Sequence, residues 1–355
     1  MKIRKSLTSL LSLALLLTPL NLVFADGNMD TITMNNDLKK RIEVNIDSSI
    51  TGNDREVIAD VMARLDEEDR GNVIYVAEDG AIYSNKTELK ETTELYDLVE
   101  NNIYQSASGK ELVGPGVPTN DFSASVIKDD TQISPTAEVP NPIGGTGPYR
   151  RVFSNNGYNW LSTYVTIPGA PYVKGNVSTD TPYVYLGGWG SNGNGIDAGL
   201  QYSTAFDNWS PTTLANGLMV PAPNNTRYRS NQDIYMKFYV TNPNECTLAV
   251  SGITTSGEQL TTTIVRGGIS GWDKSGTGMR VKRMTTIAQK IEDMTTGSSI
   301  KNVRWHNITV GYYSGSNLIY NSWGSGQTGG YHSVPSDKVS VNYIGPGEET
   351  VSIQL

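Results

Sequence analysis

The chain has 355 residues, of which 37% are hydrophobic and 18% are charged, and its formal net charge is −8. This length allows one large or two ordinary domains with real cores, and the acidic balance argues against nucleic acid as a partner. The single cysteine, Cys246, excludes an intramolecular disulfide, and with it small disulfide-stapled folds and cysteine-based metal sites.

The N-terminus has the features of a secretory signal peptide over residues 1–25. Basic residues precede an apolar run at Leu7–Leu17, and residues 23–25 are acceptable at a cleavage site. A membrane anchor is the weaker interpretation, because the apolar run is too short and is broken at Pro19. We therefore expect a secreted, extracellular protein without a membrane span.

Charge divides the rest of the chain into two parts. Residues 26–143 carry 10 basic and 24 acidic side chains, whereas residues 144–355 carry 15 basic and 12 acidic side chains and all six tryptophans. Such a break indicates two physically different units. We interpret residues 26–104 as a small acidic α+β unit with solvated carboxylates. The alternative is a propeptide or cap that covers the second part during export.

The acidic unit is predicted to contain two helices and a hairpin. The first helix follows a capping pattern at Asn53 and carries an apolar stripe that ends at Leu65. A hairpin is predicted over residues 73–84, and a second amphipathic helix around residues 89–99. Residues 105–143 are rich in Ser, Gly, Pro, Asp and Thr with little periodicity, which predicts a linker.

Short alternating segments separated by turn signals follow from about Gly144 onward. This spacing predicts a mainly β domain over residues 144–355, folded as an antiparallel, jelly-roll-like β-sandwich. Cys246 alternates with apolar residues and is expected to be a buried thiol. The predicted strands are Trp160–Ile167, Pro182–Gly188, Ile196–Ser203, Ile234–Val240, Cys246–Gly252, Gln259–Val265, Arg280–Ile287, Val303–Tyr313, Asn317–Ser322 and Val339–Tyr343.

Two of these strands, Pro182–Gly188 and Ile196–Ser203, flank a Gly/Asn-rich turn and alternate clearly between apolar and polar residues. Val184 and Leu186 are expected to face the core, which leaves an aromatic and polar face in water. This face and the loop after it carry the candidate ligand-binding side chains Tyr183, Tyr185, Trp189, Asp197, Gln201 and Trp209.

Those residue types suit sugars. Flat rings cover the C–H faces of a sugar, and planar polar groups bind its hydroxyls. The pattern therefore predicts binding of a polysaccharide or cell-wall glycopolymer. One alternative is that the rings cap a sheet edge while Asp197 and Gln201 hold loops. Another is a structural protein of the cell surface or matrix, whose aromatic face meets another protein.

Three segments, GPYRRVFSNNGYNWLSTYVTIP, DTPYVYLGGWG and IDAGLQYSTAFDNWSP, resemble the YrpD family of exported proteins from Gram-positive bacteria. The likeness covers about residues 144–345, and the GGWG and DAGLQYS blocks are its most distinctive parts. The resemblance implies secretion and an all-β domain. It implies no settled activity.

Whether the protein is an enzyme stays open. A glycosidase needs two carboxylates about 5–9 Å apart, and the strand that carries Asp197 has no second one. A polysaccharide lyase needs a Tyr or His base and a polar or cationic group that neutralises a uronate. The side chains that could supply such a set are Gln201, Tyr235, Lys237, Tyr239, Arg304 and His306.

Metal and cofactor chemistry have little support. The two histidines, His306 and His332, are too far apart in sequence for a typical zinc motif. We therefore expect no cofactor and no catalytic metal. A structural calcium ion could be held only by loop oxygens, for example at Asn192, Asn194 and Asp197, and Asn in place of Asp weakens such a site.

A basic cluster at Arg280, Lys282 and Arg283 lies on one predicted strand. We interpret it as a solvated edge strand, because charges on an edge oppose aggregation. Contact with a polyanion such as teichoic acid is the alternative.

Overall fold

Two large β-sheets make up most of the molecule in this computed structural model, which describes residues 36–100, 102–116, 147–175 and 179–355. The predicted signal peptide and residues 117–143 of the predicted linker lie outside the described residues. None of the described helices combines the length and the apolar character needed to cross a membrane.

The described helices and strands follow one another in this order. The α-helices are α1 (Asn36–Glu43), α2 (Gly52–Ala63) and α3 (Thr87–Thr92), and single 3-10 turns lie at Glu67–Asp69, Asn224–Thr226 and Ser325–Gln327. The strands are β1 (Asn72–Val76), β2 (Ile82–Ser84), β3 (Tyr96–Glu100), β4 (Ile103–Ser106), β5 (Glu111–Val113), β6 (Tyr149–Ser154), β7 (Trp160–Ile167), β8 (Val173–Lys174), β9 (Asp180–Trp189), β10 (Gly195–Ser203), β11 (Asn208–Ala215), β12 (Leu218–Pro221), β13 (Tyr228–Arg229), β14 (Gln232–Asn242), β15 (Glu245–Ile253), β16 (Gln259–Arg266), β17 (Arg280–Gln289), β18 (Ser299–Ser314), β19 (Asn317–Ser322), β20 (Thr328–Val334), β21 (Val339–Gly345) and β22 (Glu348–Gln354).

The strands form two sheets that pack as a β-sandwich. Sheet A has the order β2-β1-β16-β15-β14-β7-β18-β22-β21, with β19 and β8 also paired to β18. Sheet B has the order β20-β6-β17-β9-β10-β11-β12-β3-β4-β5, with β13 paired to β11. Most neighbouring strands are antiparallel, whereas β1 pairs with β16 in parallel. The predicted mainly β sandwich is confirmed.

An apolar cluster fills the space between the sheets. Val184 and Leu186 of β9 belong to it, as their alternation predicted, and so do Ile234 and Met236 of β14. Cys246 is fully buried in the same cluster, so its predicted place in the core is confirmed. Each fully buried side chain of this size contributes about 1.5–3 kcal/mol relative to exposure.

The core-facing residues of strand β18 are odd-numbered in one part of the strand and even-numbered in the next. Val303 and Trp305 face the core before an irregularity between His306 and Thr309, and the even-numbered Ile308 faces it afterwards. Asn307 adopts a left-handed φ of 52° at this point, a conformation that Asn tolerates better than most residues. One extra residue in a bulge exchanges the two faces of a strand. Alternation alone could not assign the faces of this strand for that reason.

The acidic N-terminal part contributes strands to both sheets. The predicted hairpin over residues 73–84 is present as β1 and β2, and Ile74 and Val76 pack in an apolar cluster with Val220 and Ile264. On the other sheet, β3 pairs with β12. Residues 36–355 cluster as one compact unit.

Two predictions for this part need correction. The helix predicted around residues 89–99 corresponds to α3, which already ends at Thr92. Residues 96–100 instead form strand β3, because their backbone groups pair with β12 and β4. The predicted linker is also strand at its start, where β4 ends at Ser106 and β5 spans Glu111–Val113.

The interpretation of the basic cluster as an edge strand is wrong. Strand β17 lies between β6 and β9, in the interior of sheet B. Lys282 and Arg283 are 2% and 1% exposed. Each is compensated by a buried carboxylate, Asp197 for Lys282 and Glu349 for Arg283. Buried charges of this kind need such partners to be tolerated.

Candidate functional site

The covered part of the face of sheet B that points away from the core carries four of the six predicted ligand-binding side chains. Tyr183, Tyr185 and Trp189 lie on β9, and Asp197 lies on the neighbouring strand β10. All four are only 2–4% exposed. The alternation was predicted correctly, but the expectation that this face is wet is wrong for these positions.

Residues from the acidic N-terminal part cover the face. Tyr104 packs in one apolar cluster with Tyr183 and Tyr185. The Tyr183 hydroxyl donates a hydrogen bond to the Val113 carbonyl at 2.7 Å, and the Tyr104 hydroxyl donates to the Pro115 carbonyl at 3.1 Å. Covering residues therefore come from the stretch that the sequence placed in the acidic unit and the linker.

A buried ion pair lies on the covered face. The Lys282 ammonium is 2.5 Å from a carboxylate oxygen of Asp197 and 4.5 Å from the centre of a Trp189 ring. Burial raises the pKa of Asp197 above its ordinary value, although Lys282, Arg151 and a hydrogen bond from Tyr185 all favour the carboxylate. The pair thus joins a cation, an anion and aromatic rings in one place.

The other two predicted side chains lie outside this covered part. Trp209 stands opposite Tyr202 in the pairing of β11 with β10, so both face the inner core. The indole N–H of Trp209 donates to the Pro168 carbonyl at 2.9 Å. The sequence suggested a loop at this position, whereas it is the second residue of β11. Gln201 is partly exposed and lines an open groove.

This groove, here called the end groove, has a volume of about 1010 Å³. It lies where α3, the β3–β5 strands, the end of β10 and the loop after β12 meet. Prolines at 221 and 223 hold that loop in an extended course, because their ring fixes φ. The chemistry-bearing side chains that line the end groove are Glu88, Glu91, Glu94, Tyr96, Lys110, Glu111, Asp180, Gln201, Tyr202, Asn224, Asn225, Arg227 and Lys290.

Arg227 provides the clearest cationic group in the end groove. Its guanidinium donates to two neutral amide oxygens, of Asn224 at 2.9 Å and of Asn208 at 3.1 Å. Burial lowers the pKa of Arg227, and the neighbouring Tyr96 opposes this effect. Several N–H donors of a guanidinium can point in one plane, so such a group can bind hydroxyls or carboxylates in addition to its protein partners.

Tyr96 and Glu94 form a second polar group in the end groove. The Tyr96 hydroxyl donates to Glu94 at 2.9 Å, and Lys110 binds both oxygens of the same carboxylate at 2.8–2.9 Å. Burial, together with Glu94, raises the pKa of Tyr96 to about 12. Tyr96 therefore stays a neutral hydroxyl at physiological pH.

Sequence reasoning missed Arg227, Glu94 and Tyr96. The run PAPNN at residues 221–225, just before Arg227, is a turn signal rich in amides that could have drawn attention to this loop. No local pattern connects it with Glu94, which is more than a hundred residues away in the chain.

The structure brings five of the six candidate catalytic side chains to the face of sheet A that points away from the core, where Tyr164 of β7 stands between Tyr235 and His306, and leaves the sixth on the other sheet. Gln201 lies on sheet B, whereas Tyr235, Lys237 and Tyr239 lie on β14 and Arg304 and His306 on β18, both in sheet A. These five side chains have structural partners on sheet A or in the N-terminal part. The contacts are Lys237 with Asp66 and Asp69, Tyr239 with Asp69, Tyr235 with Tyr164, Arg304 with Glu348, and His306 with Asp233.

The suggested calcium ligands also have other partners. Asn192 and Asn194 both direct their amides at the Ser270 hydroxyl, while Asp197 pairs with Lys282. Over the described part of the chain, no group of three or more His, Cys, Asp or Glu side chains is arranged to hold a metal ion. His332 is buried, and burial, with Arg151 and Arg150 adding, lowers its pKa to about 3.

Neither a protein-family model nor a curated protein matches this chain. Solved structures similar to it include scytalido-glutamic peptidase with a peptide-based transition-state analogue, at a TM-score of 0.36 and 9% identity over 59% of this chain and 98% of the peptidase. SCP-B, a member of the eqolisin family of peptidases, gives a TM-score of 0.34 at 9% identity over the same shares. The PL-14 alginate lyase from Aplysia kurodai gives 0.22 at 9% identity over 42% of this chain and 73% of the lyase. At such low TM-scores these likenesses say nothing about the activity of this chain.

Proposed function

We propose that this protein is exported and binds a carbohydrate or cell-wall polymer in the end groove. The observation that supports this most is the meeting of Gln201, Arg227, Asn224 and the Tyr96–Glu94 pair in one open groove. Amide, guanidinium, carboxylate and phenol groups together can donate to and accept from the hydroxyls of a sugar. Such a mixed lining can bind sugar hydroxyls without a metal ion and without one dominant charge.

The open form of the end groove, whose volume is at the upper end of the small-ligand range, supports a chain rather than a single small molecule. Pockets for small ligands span about 300–1,000 Å³, and the end groove reaches about 1010 Å³ while remaining open to solvent. A polymer can enter an open groove from the side. Closed cavities of the same volume would admit only a compact ligand.

The charges of the end groove favour an uncharged polymer over a polyanion. Its carboxylates outnumber its cations by five to three, and two of the cations are already paired, Lys110 with Glu94 and Lys290 with Glu111. A polyanion would meet net repulsion along these walls. Hydroxyl groups of a neutral sugar meet no such penalty.

A binding experiment on the secreted protein tests the proposal. Glycan arrays that carry neutral, acidic and amino-sugar polymers would first identify a ligand, and calorimetry would then measure its affinity. Gln201→Ala and Arg227→Gln should each weaken binding by about tenfold, the effect of losing roughly one good hydrogen bond.

Matched controls separate the end groove from the rest of the surface. Arg229→Gln lies two residues from Arg227 on an exposed position that does not line the groove, and Gln354→Ala removes an exposed glutamine from sheet A. Both should bind as the wild type does. Equal losses in controls and groove variants, or binding of another protein without any glycan, would contradict the proposal. N-terminal sequencing of the secreted product would test the expected cleavage after residue 25.

A further inference from the structure

Residues 112–116, here called the strap, cross the outer face of sheet B between the end groove and the buried ion pair. The first two residues of the strap belong to β5 and pair with β4, Leu112 opposite Tyr104 and Val113 opposite Ile103. Three further hydrogen bonds hold it: Tyr183 to the Val113 carbonyl, Tyr104 to the Pro115 carbonyl, and the Gly114 N–H to the Asn102 carbonyl at 2.9 Å. After Val113, each anchor is a single hydrogen bond to the backbone. None of the three is a charged contact that would fix the strap strongly.

A small cavity lies directly beneath the strap. Pro115 forms one wall, and Tyr183, Tyr185, Asp197 and Gly199 form the opposite side. Its volume is about 10 Å³, which is the space of about one water molecule. A sugar ring therefore fits here only if the strap moves away from the sheet.

The surface under the strap includes a buried ion pair. A buried ion pair is often no more stabilising than apolar residues of the same volume, because both ions lose their water. Lys282 and Asp197 are nevertheless retained as a pair on a face that the chain could have filled with aliphatic residues. The opposite faces of β9 and β10 carry Val184, Leu186 and Leu200, whereas the opposite face of β17 carries Arg283, which pairs with the buried Glu349.

An adjacent ammonium and carboxylate match a vicinal diol. Each sugar hydroxyl can accept one hydrogen bond and donate another, so one hydroxyl can accept from Lys282 while its neighbour donates to Asp197. The Tyr185 ring and hydroxyl next to Asp197 add an apolar surface and one more polar contact.

The cavity and the end groove both border strand β10. Gln201, Gly199 and Asp197 are alternate residues of β10 and share its outer face. At about 3.3 Å per residue, Asp197 lies roughly 13 Å along the strand from Gln201. Gly199 presents no side chain between them, and Tyr185 of the neighbouring strand β9 packs closely against it, so Tyr185 and the strap together close the path along the strand.

We propose that the space beneath the strap is a covered subsite of the end groove, in which Asp197, Lys282 and Tyr185 bind the vicinal diol of a neutral sugar unit once the strap lifts. This inference rests on the proposed carbohydrate binding in the end groove. It adds the class of sugar that the site selects and the segment that limits access to it.

Two series of neutral oligosaccharides test whether the subsite selects a vicinal diol. Internal rings of β-1,4-linked gluco-oligosaccharides keep adjacent free hydroxyls at C2 and C3, whereas the β-1,3-linked isomers do not. Calorimetry on the full secreted chain would use both series at two to eight rings. We expect the affinity for the 1,4-linked series to rise at least tenfold once the oligomer is long enough to reach Asp197, and no such rise for the 1,3-linked series.

Substitutions beneath the strap test whether the gain in affinity with oligomer length arises there. Asp197→Asn, Lys282→Met and Tyr185→Phe should each remove most of the length-dependent gain while leaving the affinity for short oligomers unchanged. Tyr185→Phe loses only a hydroxyl and should fold even if the charge variants do not. Lys237→Met, which breaks a buried ion pair on sheet A, is the matched control and should keep the gain.

Hydrogen exchange tests the strap without any ligand. The amide of Gly114 should exchange faster than amides in the centre of sheet B, and Tyr104→Phe should speed its exchange about fivefold or more by removing one anchor. Exchange of this amide only at the rate of global unfolding would overturn the inference. So would an equal gain with length for both glucan series, or a gain that survives Tyr185→Phe. If no neutral oligomer binds and Gln201→Ala has no effect on any glycan, the proposed function itself fails.

Discussion

The sharpest stability prediction concerns a buried ion triad between the two sheets. Glu349 of β22 in sheet A accepts hydrogen bonds from Arg150 of β6, at 2.8 Å, and from Arg283 of β17, both in sheet B. The Glu349 side chain is 0% exposed, and the two arginine side chains are 5% and 1% exposed. Glu349→Gln would leave two guanidinium groups buried without a counter-charge.

The neighbouring residue supplies a matched control. Breaking a buried ion pair from one side costs about 3–5 kcal/mol of unfolding free energy. Glu348 pairs with Arg304 at the surface, with side chains 31% and 49% exposed. Such a pair contributes about 0–1 kcal/mol, so Glu348→Gln should be nearly neutral. Urea unfolding of both variants measures the two values, and similar losses in both would refute the reasoning.

The pH dependence provides an independent check. Burial alone would raise the pKa of Glu349, but Arg283 and Arg150 outweigh it and hold the pKa below its ordinary value of 4.5. A carboxyl whose pKa is lower in the folded state stabilises the fold above its unfolded pKa and loses this contribution as the pH falls below it. The wild type should therefore lose more stability than Glu349→Gln between pH 5 and pH 3. Parallel curves would contradict this.

Three further predictions concern other buried groups. Lys237→Met should cost about 3–5 kcal/mol because it leaves Asp69 buried and unpaired, whereas Lys86→Met, in a surface pair, should cost about 1 kcal/mol or less in the same urea assay. His332 should show no imidazole titration by NMR between pH 5 and 8, because its pKa lies at about 3; its contribution to stability is complete above the ordinary value of 6.5 and is lost as the pH falls towards 3. Burial raises the pKa of the Cys246 thiol, so iodoacetamide at pH 8 should modify it only after denaturation, as measured by mass spectrometry. A titrating His332 or a rapidly modified native Cys246 would show that the core is more open than described.

The predicted strands show what local alternation can establish. Trp160–Ile167 and Asn317–Ser322 match β7 and β19 at both ends, and Val184 and Leu186 face the core as expected. Burial of Cys246 followed from the same pattern. Side chains of a strand alternate with a period of two whatever lies elsewhere in the chain, so this information is present in any short window.

Bulges and pairing order limit that information. On β18 the core-facing residues switch from odd-numbered to even-numbered positions at Asn307, because an added residue exchanges the faces of the strand. Arg283 looked like a charge of a solvated edge strand, and the sheet order places its strand in the interior beside β9. Neither a bulge nor a neighbouring strand can be read from the alternation of one segment.

The sequence by itself therefore determined the all-β character of the second part, the buried thiol and the two-sided nature of β9 and β10. Only the tertiary structure decided that Tyr104 and Pro115 cover the tyrosine face, and that Arg227 meets Gln201 in an open groove. The physical reason is the range of the interactions involved. Alternation records which side of a strand avoids water, but another segment can cover the remaining side, and long-range packing selects that segment.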